Sequence, residues 1–528
     1  MTGDWPSIPA LVRSAATAHP GHEAVIDGEL SLSYPALFEQ AQQFAGAVVS
    51  CGLAPGERVG IWAYNSAEWI VAALGLWQAG CVLVPVNTRF KGGEAADILG
   101  RSGARLLVTV TEFLGTDYVE SLRGAQLPAL DTIVVAAGGV PEGTQSWASF
   151  LARATPEALS EAERRAAALG AEDPSDILFT SGTTGRPKGV VQTHGRTLRV
   201  GTDWVAMTGL RADDRYLMVN PYFHMFGLKA GILASIAAGA TMLPQAVFDV
   251  DAVLTRVQSE KVTVFPGAPT LYQSILDHPG RAHYDLSTLR VAVTGAADIP
   301  VELIRRVRAE LPFSLVITGY GLTEAGTATA TSPDDDATTV ATTVGRPRPG
   351  FELRIADDKG MDMAPGAAGE ILLRGGSVMS RYLDDPEATE AALTDDGWLR
   401  TGDLGRVDDR GFLQIVGRSK EVFIVGGFNV YPAEVENFLL EHPGVARAAV
   451  IGIPDRRLGE VGVAFVVPRP GASVDAPGVI EWARGRMANY KVPRVIEIVD
   501  ELPLNATGKV QKDDLRRRAA TAHPRWVP

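Results

Sequence analysis

Residues 179–190 read FTSGTTGRPKGV, and this stretch is the clearest chemical signal in the chain. Its glycines let backbone N–H groups approach an anion closely, the Ser and Thr hydroxyls add donors, and Lys188 adds a positive charge. A Walker loop is excluded, because that motif joins its lysine directly to a glycine, whereas Pro187 precedes the lysine here. The stretch therefore predicts a phosphate-binding loop whose donors are Thr180, Ser181, Gly182, Thr183 and Thr184.

On both sides of this loop, from Leu32 to about Gly319, short apolar runs alternate with helical stretches. The runs are rich in β-branched residues and apolar on both faces, as buried parallel strands are. Alternation of such strands with helices is typical of a doubly wound α/β fold. The predicted strands are Arg58–Trp62, Val82–Val86, Leu106–Val110, Thr132–Val135, Val262–Phe265, Val291–Thr294 and Leu315–Thr318.

The later part of the chain has a different pattern. Gly369–Arg374 and Phe412–Val416 lie among Gly and Asp turns, which predicts a small, β-rich antiparallel layer. The final, roughly 110 residues alternate strands and helices and read as a compact α+β unit. We therefore expect a large N-terminal domain over residues 1–417, a hinge at 418–420 and a small C-terminal domain over 421–528.

Composition excludes several classes of protein. The chain has 528 residues and a formal net charge of −13, so general nucleic-acid binding is not expected. Two cysteines, Cys51 and Cys81, cannot build a disulfide framework. The first residues lack a secretory pattern, and the most apolar stretches are interrupted by polar residues and glycine, so no transmembrane segment is expected. A soluble protein of the cytoplasm is the prediction.

The phosphate-loop sequence resembles that of the adenylate-forming superfamily, which contains acyl- and aryl-CoA synthetases, peptide-synthetase adenylation domains and luciferases. The resemblance implies ATP binding by the loop and extends to a second segment, TGYGLTEAG, at 318–326. There Tyr320 would stack on adenine, Thr318 and Gly319 would line the nucleotide, and Thr323 and Glu324 would lie by the phosphates. A carboxylate suits Mg²⁺, so Glu324 is the expected metal ligand.

Further motifs follow in the order that the family shows. In WLRTGDLG, residues 398–405, the resemblance assigns Asp403 to the ribose hydroxyls. In GRSK, 417–420, it assigns Arg418 to the ribose or phosphate side and Lys420 to the hinge between the domains. In VGGFNVYPAEVE, 425–436, Gly426 and Gly427 would line the tunnel for the pantetheine arm of CoA.

LPLNATGKVQK, residues 502–512, places Lys509 in a Gly-Lys turn. In this string it resembles the catalytic lysine that bridges the carboxylate, the α-phosphate and the ribose during adenylation. Negative charge builds on the phosphorus as the bond forms, and a fixed cation stabilises it.

The acid-binding side is expected around PYFHMFG, residues 221–227, where His224 resembles the gate beside the acyl carboxylate and Phe226 an apolar wall. TGAADIP, 294–300, would pass the backbone of Gly295 and Ala296 beside the purine and the acyl group. Small and apolar walls favour a bulky monocarboxylic acid. Lys229 has two interpretations: it points inward to a ketone or other polar group of the acid remote from the carboxylate, or it is an ordinary surface lysine.

The resemblance as a whole implies an AMP-forming acid–CoA ligase that uses ATP, Mg²⁺ and coenzyme A on a small-molecule carboxylic acid. The strings PYFHMFGLKAGILA, PTLYQSILDHP and GFNVYPAEVE are most similar to bacterial ligases for the indanedione propanoate left by steroid-ring degradation. Medium- or long-chain fatty-acyl and coumarate-type aryl ligases are the alternatives. An enzyme that passes its acyl group to a carrier protein or to oxygen, and a non-catalytic adenylate-binding regulator, are more distant ones. A homodimer stays open, because nothing in the sequence fixes the oligomeric state.

Overall fold

The computed structural model describes residues 5–180, 187–295, 299–418, 421–425, 428–455, 458–484, 487, 489–505 and 509–522, with the side chains of 418, 428 and 429 left out. No helix within these ranges is both long and apolar enough to cross a membrane.

The strands form several sheets. They are β1 (Glu23–Asp27), β2 (Leu30–Ser33), β3 (Arg58–Trp62), β4 (Val82–Pro85), β5 (Ala104–Val110), β6 (Glu112–Phe113), β7 (Thr116–Asp117), β8 (Thr132–Ala137), β9 (Gln145–Ser146), β10 (Pro174–Thr180), β11 (Lys188–Thr193), β12 (Arg215–Met218), β13 (Thr241–Pro244), β14 (Val291–Gly295), β15 (Leu315–Leu322), β16 (Gly326–Ala330), β17 (Arg346–Pro347), β18 (Phe351–Ala356), β19 (Gly369–Gly375), β20 (Arg381–Tyr382), β21 (Leu399–Val407), β22 (Leu413–Arg418), β23 (Phe423–Val425), β24 (Phe428–Val430), β25 (Val445–Asp455), β26 (Gly459–Pro468) and β27 (Val495–Ile498).

The helices lie between and over these strands. They are α1 (Ile8–Ala18), α2 (Tyr34–Ser50), α3 (Ala67–Gln78), α4 (Gly92–Ser102), α5 (Tyr118–Ser121), α6 (Trp147–Leu151), α7 (Pro156–Ala168), α8 (His194–Thr208), a π-helix (Phe226–Leu233), α9 (Ala234–Ala238), α10 (Val250–Ser259), α11 (Pro269–Asp277), a 3₁₀ turn (Arg281–His283), α12 (Val301–Glu310), α13 (Ala337–Thr342), α14 (Pro386–Ala392), α15 (Pro432–Leu440), α16 (Ala476–Arg484) and α17 (Lys512–Ala522).

Two large sheets form the N-terminal part. One has eight strands in the order β20-β11-β10-β4-β3-β5-β8-β9, in which β3, β4, β5 and β8 run parallel. The other joins β12-β13-β1-β2 to β14-β15-β16-β17 through bridges from Val264 to Tyr216 and Val291. The main core cluster contains three fully buried tryptophans, Trp62, Trp69 and Trp77. The predicted mixed α/β architecture is confirmed.

The predicted strand Val262–Phe265 is the largest departure in this half. Only Val264 forms bridges, one to Tyr216 and one to Val291. Pro266 follows directly and has no N–H with which to continue a ladder. The segment therefore fills the gap between two half-sheets without becoming a regular strand.

The β-rich layer and the C-terminal unit also match the expectation. The layer is an antiparallel sheet in the order β18-β19-β21-β22. The C-terminal unit pairs β25 with β26 along almost their whole length and has its own apolar cores. Helix α15 begins at Pro432, because a proline at the first turn lacks only an N–H that would have no intrahelical acceptor.

A buried cation holds the C-terminal unit together. The ammonium of Lys512, at the start of α17, lies 2.8 Å from a carboxylate oxygen of Glu421 and 2.9 Å from one of Glu436. Burial disfavours the charged amine, but the two carboxylates outweigh it and raise the pKa of Lys512. Glu436 also accepts a hydrogen bond from the backbone N–H of Val450. The start of α17 is thereby tied both to α15 and to the residues that follow position 420.

Candidate active site

The two ends of the predicted phosphate loop are held by an antiparallel strand pair. Thr180, the last residue of β10, is paired in register with Lys188, the first of β11. The ammonium of Lys188 lies 4.9 Å from the centre of the Tyr382 ring, which is cation–π distance. The candidate donors Ser181, Gly182, Thr183 and Thr184 lie outside the described residues.

Arg101, at the end of α4, holds both ends of the same loop. Its Nη1 donates a hydrogen bond of 2.7 Å to the carbonyl of Pro187, and its guanidinium lies 5.3 Å from the centre of the Phe179 ring. Asp97, one turn earlier on α4, pairs with the same guanidinium. A single side chain therefore contacts the residues that enter and leave the loop, a role that the sequence analysis did not assign to it.

Glu324, the expected metal ligand, is oriented by a tyrosine from a distant part of the chain. The hydroxyl of Tyr382 donates a hydrogen bond of 3.0 Å to Glu324 Oε1. Tyr382 lies on β20, which pairs with β11 opposite Val190, and the carbonyl of Glu324 accepts from the N–H of Met379. Lys188, Tyr382 and Glu324 thus form one row of contacts beside the phosphate loop.

Residues expected at adenine and ribose are in direct contact. The hydroxyl of Tyr320, near the end of β15, donates a hydrogen bond of 2.6 Å to Asp403 Oδ2. Asp403 lies on β21 and is paired in register with Arg418 on β22. Only 7% of the surface of Asp403 is exposed. This arrangement brings together two motifs that are far apart in the sequence.

Thr318 and Gly319 lie next to Gly295 on adjacent parallel strands. Gly295 is in register with Gly319, and Thr294 with Thr318, at the end of the β14–β15 pair. A Cβ atom on Gly319 would stand 2.6 Å from the carbonyl oxygen of Thr329, so no other residue fits there without moving β16. The paired positions Gly295 and Gly319 therefore leave the backbone uncovered at the end of these two strands. Ala296 lies outside the described residues.

His224 precedes a π-helix, Phe226–Leu233, in the predicted acid-binding segment. Its Nδ1 accepts a hydrogen bond from the N–H of Phe226, so the proton of the neutral ring is on Nε2. Burial, together with the positive charge of Lys509, lowers the pKa of His224 to about 4. His224 is therefore a neutral N–H donor at physiological pH. π-Helical turns occur often at functional sites.

Phe226 belongs to an apolar wall on the same segment. Its ring packs edge-to-face on Trp204 of α8, with 5.0 Å between the ring centres. Trp204 is 3% exposed, so the wall is held by the core.

Lys509 reaches the site from the C-terminal unit. Its backbone N–H donates to the side chain of Asn505, and its carbonyl accepts from the Asn505 N–H, which closes the turn that carries it. Its effect on the pKa of His224 requires the two groups to lie within electrostatic range of each other. The positive charge of Lys509 therefore adds to the effect of burial on His224.

Lys229 fits neither of its two interpretations. It is 1% exposed, so it is not a surface lysine, and its ammonium lies 2.8 Å from Asp176 Oδ1 inside the core. It also donates a hydrogen bond of 3.0 Å to Thr197 Oγ1. Burial lowers the pKa of Lys229, and the carboxylate of Asp176 opposes that shift. Its charge is therefore already paired and does not reach toward an acid in the site.

Some of the predicted site residues lie outside the part of the chain that the structure describes. Lys420, Gly426 and Gly427 lie outside the described residues, as does the side chain of Arg418. Conversely, the candidate site is supported by three residues that lie in none of the motifs found in the sequence: Arg101, Asp176 and Tyr382.

A divalent cation fits this site if the nucleotide supplies most of its ligands. The described residues contain no cluster of three or more His, Cys, Asp or Glu side chains that could hold an ion by themselves. Glu324 offers one oriented carboxylate, and Mg²⁺ in nucleotide sites is usually held by one or two carboxylates together with phosphates and water.

The chain matches a known family over most of its length. The sequence pattern of AMP-binding enzymes covers residues 12–383, and that of the AMP-binding enzyme C-terminal domain covers residues 434–509.

Two curated relatives match the chain almost from end to end. Both are ligases that join CoA to the 3-(7a-methyl-1,5-dioxo-octahydro-1H-inden-4-yl)propanoyl group. The Rhodococcus jostii protein is 47% identical over 521 residues, which cover 98% of this chain and 99% of the relative. The Mycobacterium tuberculosis protein is 49% identical over 517 residues, with the same coverage.

A solved structure shows the same architecture. The crystal structure of the anthranilate CoA ligase AuaEII in complex with anthranoyl-AMP is 31% identical and superimposes with a TM-score of 0.89, covering 98% of both chains.

Proposed function

The chain belongs to the family of AMP-binding enzymes, and on that premise we propose that it is an ATP-dependent acid–CoA ligase for a steroid-derived indanedione propanoate. The observation that carries the proposal is the 47–49% identity, over 98% of the chain, to two ligases named for that acyl group. The site agrees, because it combines candidate nucleotide-binding residues, an apolar wall and a C-terminal lysine.

In the first half-reaction a carboxylate oxygen of the acid forms a bond to the α-phosphorus of ATP, and the bond from that phosphorus to the pyrophosphate oxygen breaks. The products are acyl-AMP and pyrophosphate. Lys509 stabilises the charge that develops on the α-phosphate, and the neutral His224 donates its Nε2–H toward the acid carboxylate. Glu324, held by Tyr382, would bind Mg²⁺, which supplies positive charge at the phosphates when it is bound.

In the second half-reaction the sulfur of CoA forms a thioester bond with the acyl carbon, the bond from that carbon to the AMP oxygen breaks, and the thiol proton is released. We propose that the C-terminal domain rotates about Lys420 between the two steps. The rotation would withdraw Lys509 and bring Gly426 and Gly427 to the acyl group. Such a conformational step can limit turnover.

The apolar wall supports a bulky, uncharged acid body. Phe226 is partly exposed and presents its ring, and the buried Trp204 and Leu228 support it from behind. Lys229 is paired with Asp176, so a ketone of the substrate is not expected to receive a hydrogen bond from it. The ketone oxygens of the substrate must accept hydrogen bonds from other groups of the protein or from water.

The test is the release of AMP and pyrophosphate across a panel of acids, with and without CoA. The panel runs from acetate to long-chain fatty acids and includes coumarate and bicyclic keto-propanoates. We expect the keto-propanoate to be turned over far faster than decanoate. Activity that rises with chain length would make the protein a fatty-acyl ligase, and a preference for coumarate an aryl ligase.

The same assay separates the more distant alternatives. Pyrophosphate release without any CoA-dependent release of AMP would favour a different acceptor, such as a carrier protein, and the absence of pyrophosphate release would favour a non-catalytic regulator. Homodimerisation, the cytoplasmic location and the domain boundaries at residues 418–420 stay predictions, for which light scattering, fractionation and limited proteolysis are the measurements.

A further inference from the structure

A buried charge cluster lies between two segments of the site and takes no part in the reaction described above. Lys229 and Asp176 form an ion pair of 2.8 Å, with 1% and 0% of their side chains exposed. Thr197 bridges the pair, because its hydroxyl accepts from Lys229 at 3.0 Å and donates to Asp176 Oδ2 at 2.6 Å. Ser175 donates a further hydrogen bond of 2.7 Å to Asp176 Oδ2.

The two charges belong to the segments that carry the two substrates. Asp176 lies on β10, the strand that ends at Thr180 and leads into the phosphate loop. Lys229 lies in the π-helix that begins just after His224. Thr197 lies on α8, which packs against that helix. The ion pair therefore joins the strand that leads into the phosphate loop to the helix that follows the acid gate.

We propose that the Lys229–Asp176 pair is a positioning device that sets the acid gate at the correct distance and angle from the phosphate loop. This inference rests on the proposed function, since it concerns the alignment of the acid carboxylate with the α-phosphate. Lys229 is a positioning residue, because it acts through His224 and the π-helix and touches neither substrate.

Buried charges suit this role better than apolar side chains do. Apolar contacts are non-directional and tolerate small shifts, whereas the ammonium here must satisfy a carboxylate and a hydroxyl at fixed distances. A buried ion pair is weak evidence for stability, since well-packed apolar residues often replace one without loss. The benefit of the ion pair is therefore expected in the alignment of the reacting groups. A displacement of about 1 Å between reacting groups can lower the rate roughly 100-fold.

The decisive variant is the double replacement Lys229→Met with Asp176→Leu, which removes both charges and leaves neither one buried alone. We expect it to fold and to bind ATP and the acid separately with dissociation constants within about twofold of the wild type, measured by calorimetry. The single-turnover rate of pyrophosphate release should fall about 10- to 100-fold. The rate of thioester formation from supplied acyl-AMP should be unchanged, because the first alignment is no longer needed.

A second variant covers the case in which the double replacement does not fold. Thr197→Val keeps the side-chain shape and both charges but removes the bridging hydroxyl, and we expect about a tenfold slower adenylation with unchanged binding. The matched control is Asp214→Asn, which removes the charge that pairs with Arg290 just before β12 and β14, at the opposite end of β14 from Gly295. It should lower the melting temperature without slowing adenylation.

Several outcomes would overturn the inference. A folded double variant that adenylates at the wild-type rate would make the pair purely structural, and weaker binding of either substrate would make it part of a binding surface. A loss of thioester formation equal to the loss of adenylation would exclude alignment as the cause. Failure of the wild type to adenylate any acid in the panel would refute the proposed function itself, which is a separate result.

Discussion

Lys509 illustrates how one cation can serve only one of two reactions. It acts on His224 in the structure, and the proposed rotation would remove it before CoA arrives. Lys509→Ala should slow adenylation about 100- to 1,000-fold, because one fixed donor for the developing charge is lost. Thioester formation from supplied acyl-AMP should stay near the wild-type rate. The measurement is single-turnover kinetics of each half-reaction, with the exposed Lys359→Ala as control. Equal losses in both would refute the role.

Tyr382 gives a second prediction for a single side chain. Tyr382→Phe keeps the ring that faces Lys188 but removes the O–H donor to Glu324. Hydrogen bonds to charged groups contribute about 1.5–3 kcal/mol, so the Mg²⁺ concentration for half-maximal adenylation should rise roughly tenfold or more. Binding of the nucleotide with Mg²⁺, measured by calorimetry, should weaken in parallel.

The control for Tyr382→Phe is the same chemical change at an exposed site. The hydroxyl of Tyr284 donates to Asp251 at the surface, and Tyr284→Phe should leave the Mg²⁺ dependence as it is. If Tyr382→Phe also shows the wild-type Mg²⁺ dependence, Tyr382 does not orient the metal ligand.

Among the elements, α4 supports the phosphate loop through its last turn. Arg101→Met keeps much of the aliphatic length but removes both the hydrogen bond to Pro187 and the contact with Phe179. The two ends of the loop would then be held less firmly, so KM for ATP should rise about 3- to 10-fold with little change in binding of the acid. Steady-state kinetics with ATP varied at saturating acid is the measurement.

Arg105 is the natural comparison for Arg101. It is also on the surface of the N-terminal part and pairs with Glu57 and Asp131, which stand just before β3 and β8. Arg105→Met should leave KM for ATP unchanged. An equal rise in KM for ATP in both variants would indicate a general loss of stability and would contradict a specific role of Arg101 in supporting the loop.

For the whole molecule, two histidines with lowered pKa values predict how stability depends on pH. Burial lowers the pKa of His194 to about 4, and burial with the charge of Lys509 does the same for His224. The unfolded chain binds protons at these rings below its ordinary pKa of about 6.5, whereas the folded protein does not. Stability should therefore fall as the pH drops from about 6.5 to 4, and His194 alone contributes of the order of 3 kcal/mol to that loss.

Urea unfolding at several pH values between 7.5 and 4.5 measures this dependence. His194→Asn should reduce the slope, because the amide oxygen can replace Nδ1 as acceptor for the N–H of Ile8 without titrating. Carboxylates titrate equally in both proteins, so the difference between the two slopes isolates the histidine. Equal slopes would contradict the prediction that burial of His194 makes the stability of the folded protein depend on pH.

Much of this protein could be predicted from its sequence, because the relevant signals are local. The sequence pattern located β3 and β14 to within a residue or two, and the order of motifs indicated an adenylate-forming enzyme. The glycine pair Gly295 and Gly319 also fell on motifs, since a flat backbone at a strand end leaves a recognisable pattern of small residues.

Tertiary structure alone decided the partners of the charged and polar side chains. Glu324 contacts Tyr382, which is 58 positions away, and Lys229 in the π-helix pairs with Asp176 on β10, because sheet pairing and helix packing bring distant segments together. From the sequence alone, Lys229 could be assigned either to a pocket or to the surface, because nothing in the sequence shows that Asp176 lies beside it. A lysine in the core is stable only beside a charge of opposite sign, and spacing along the chain does not contain that information.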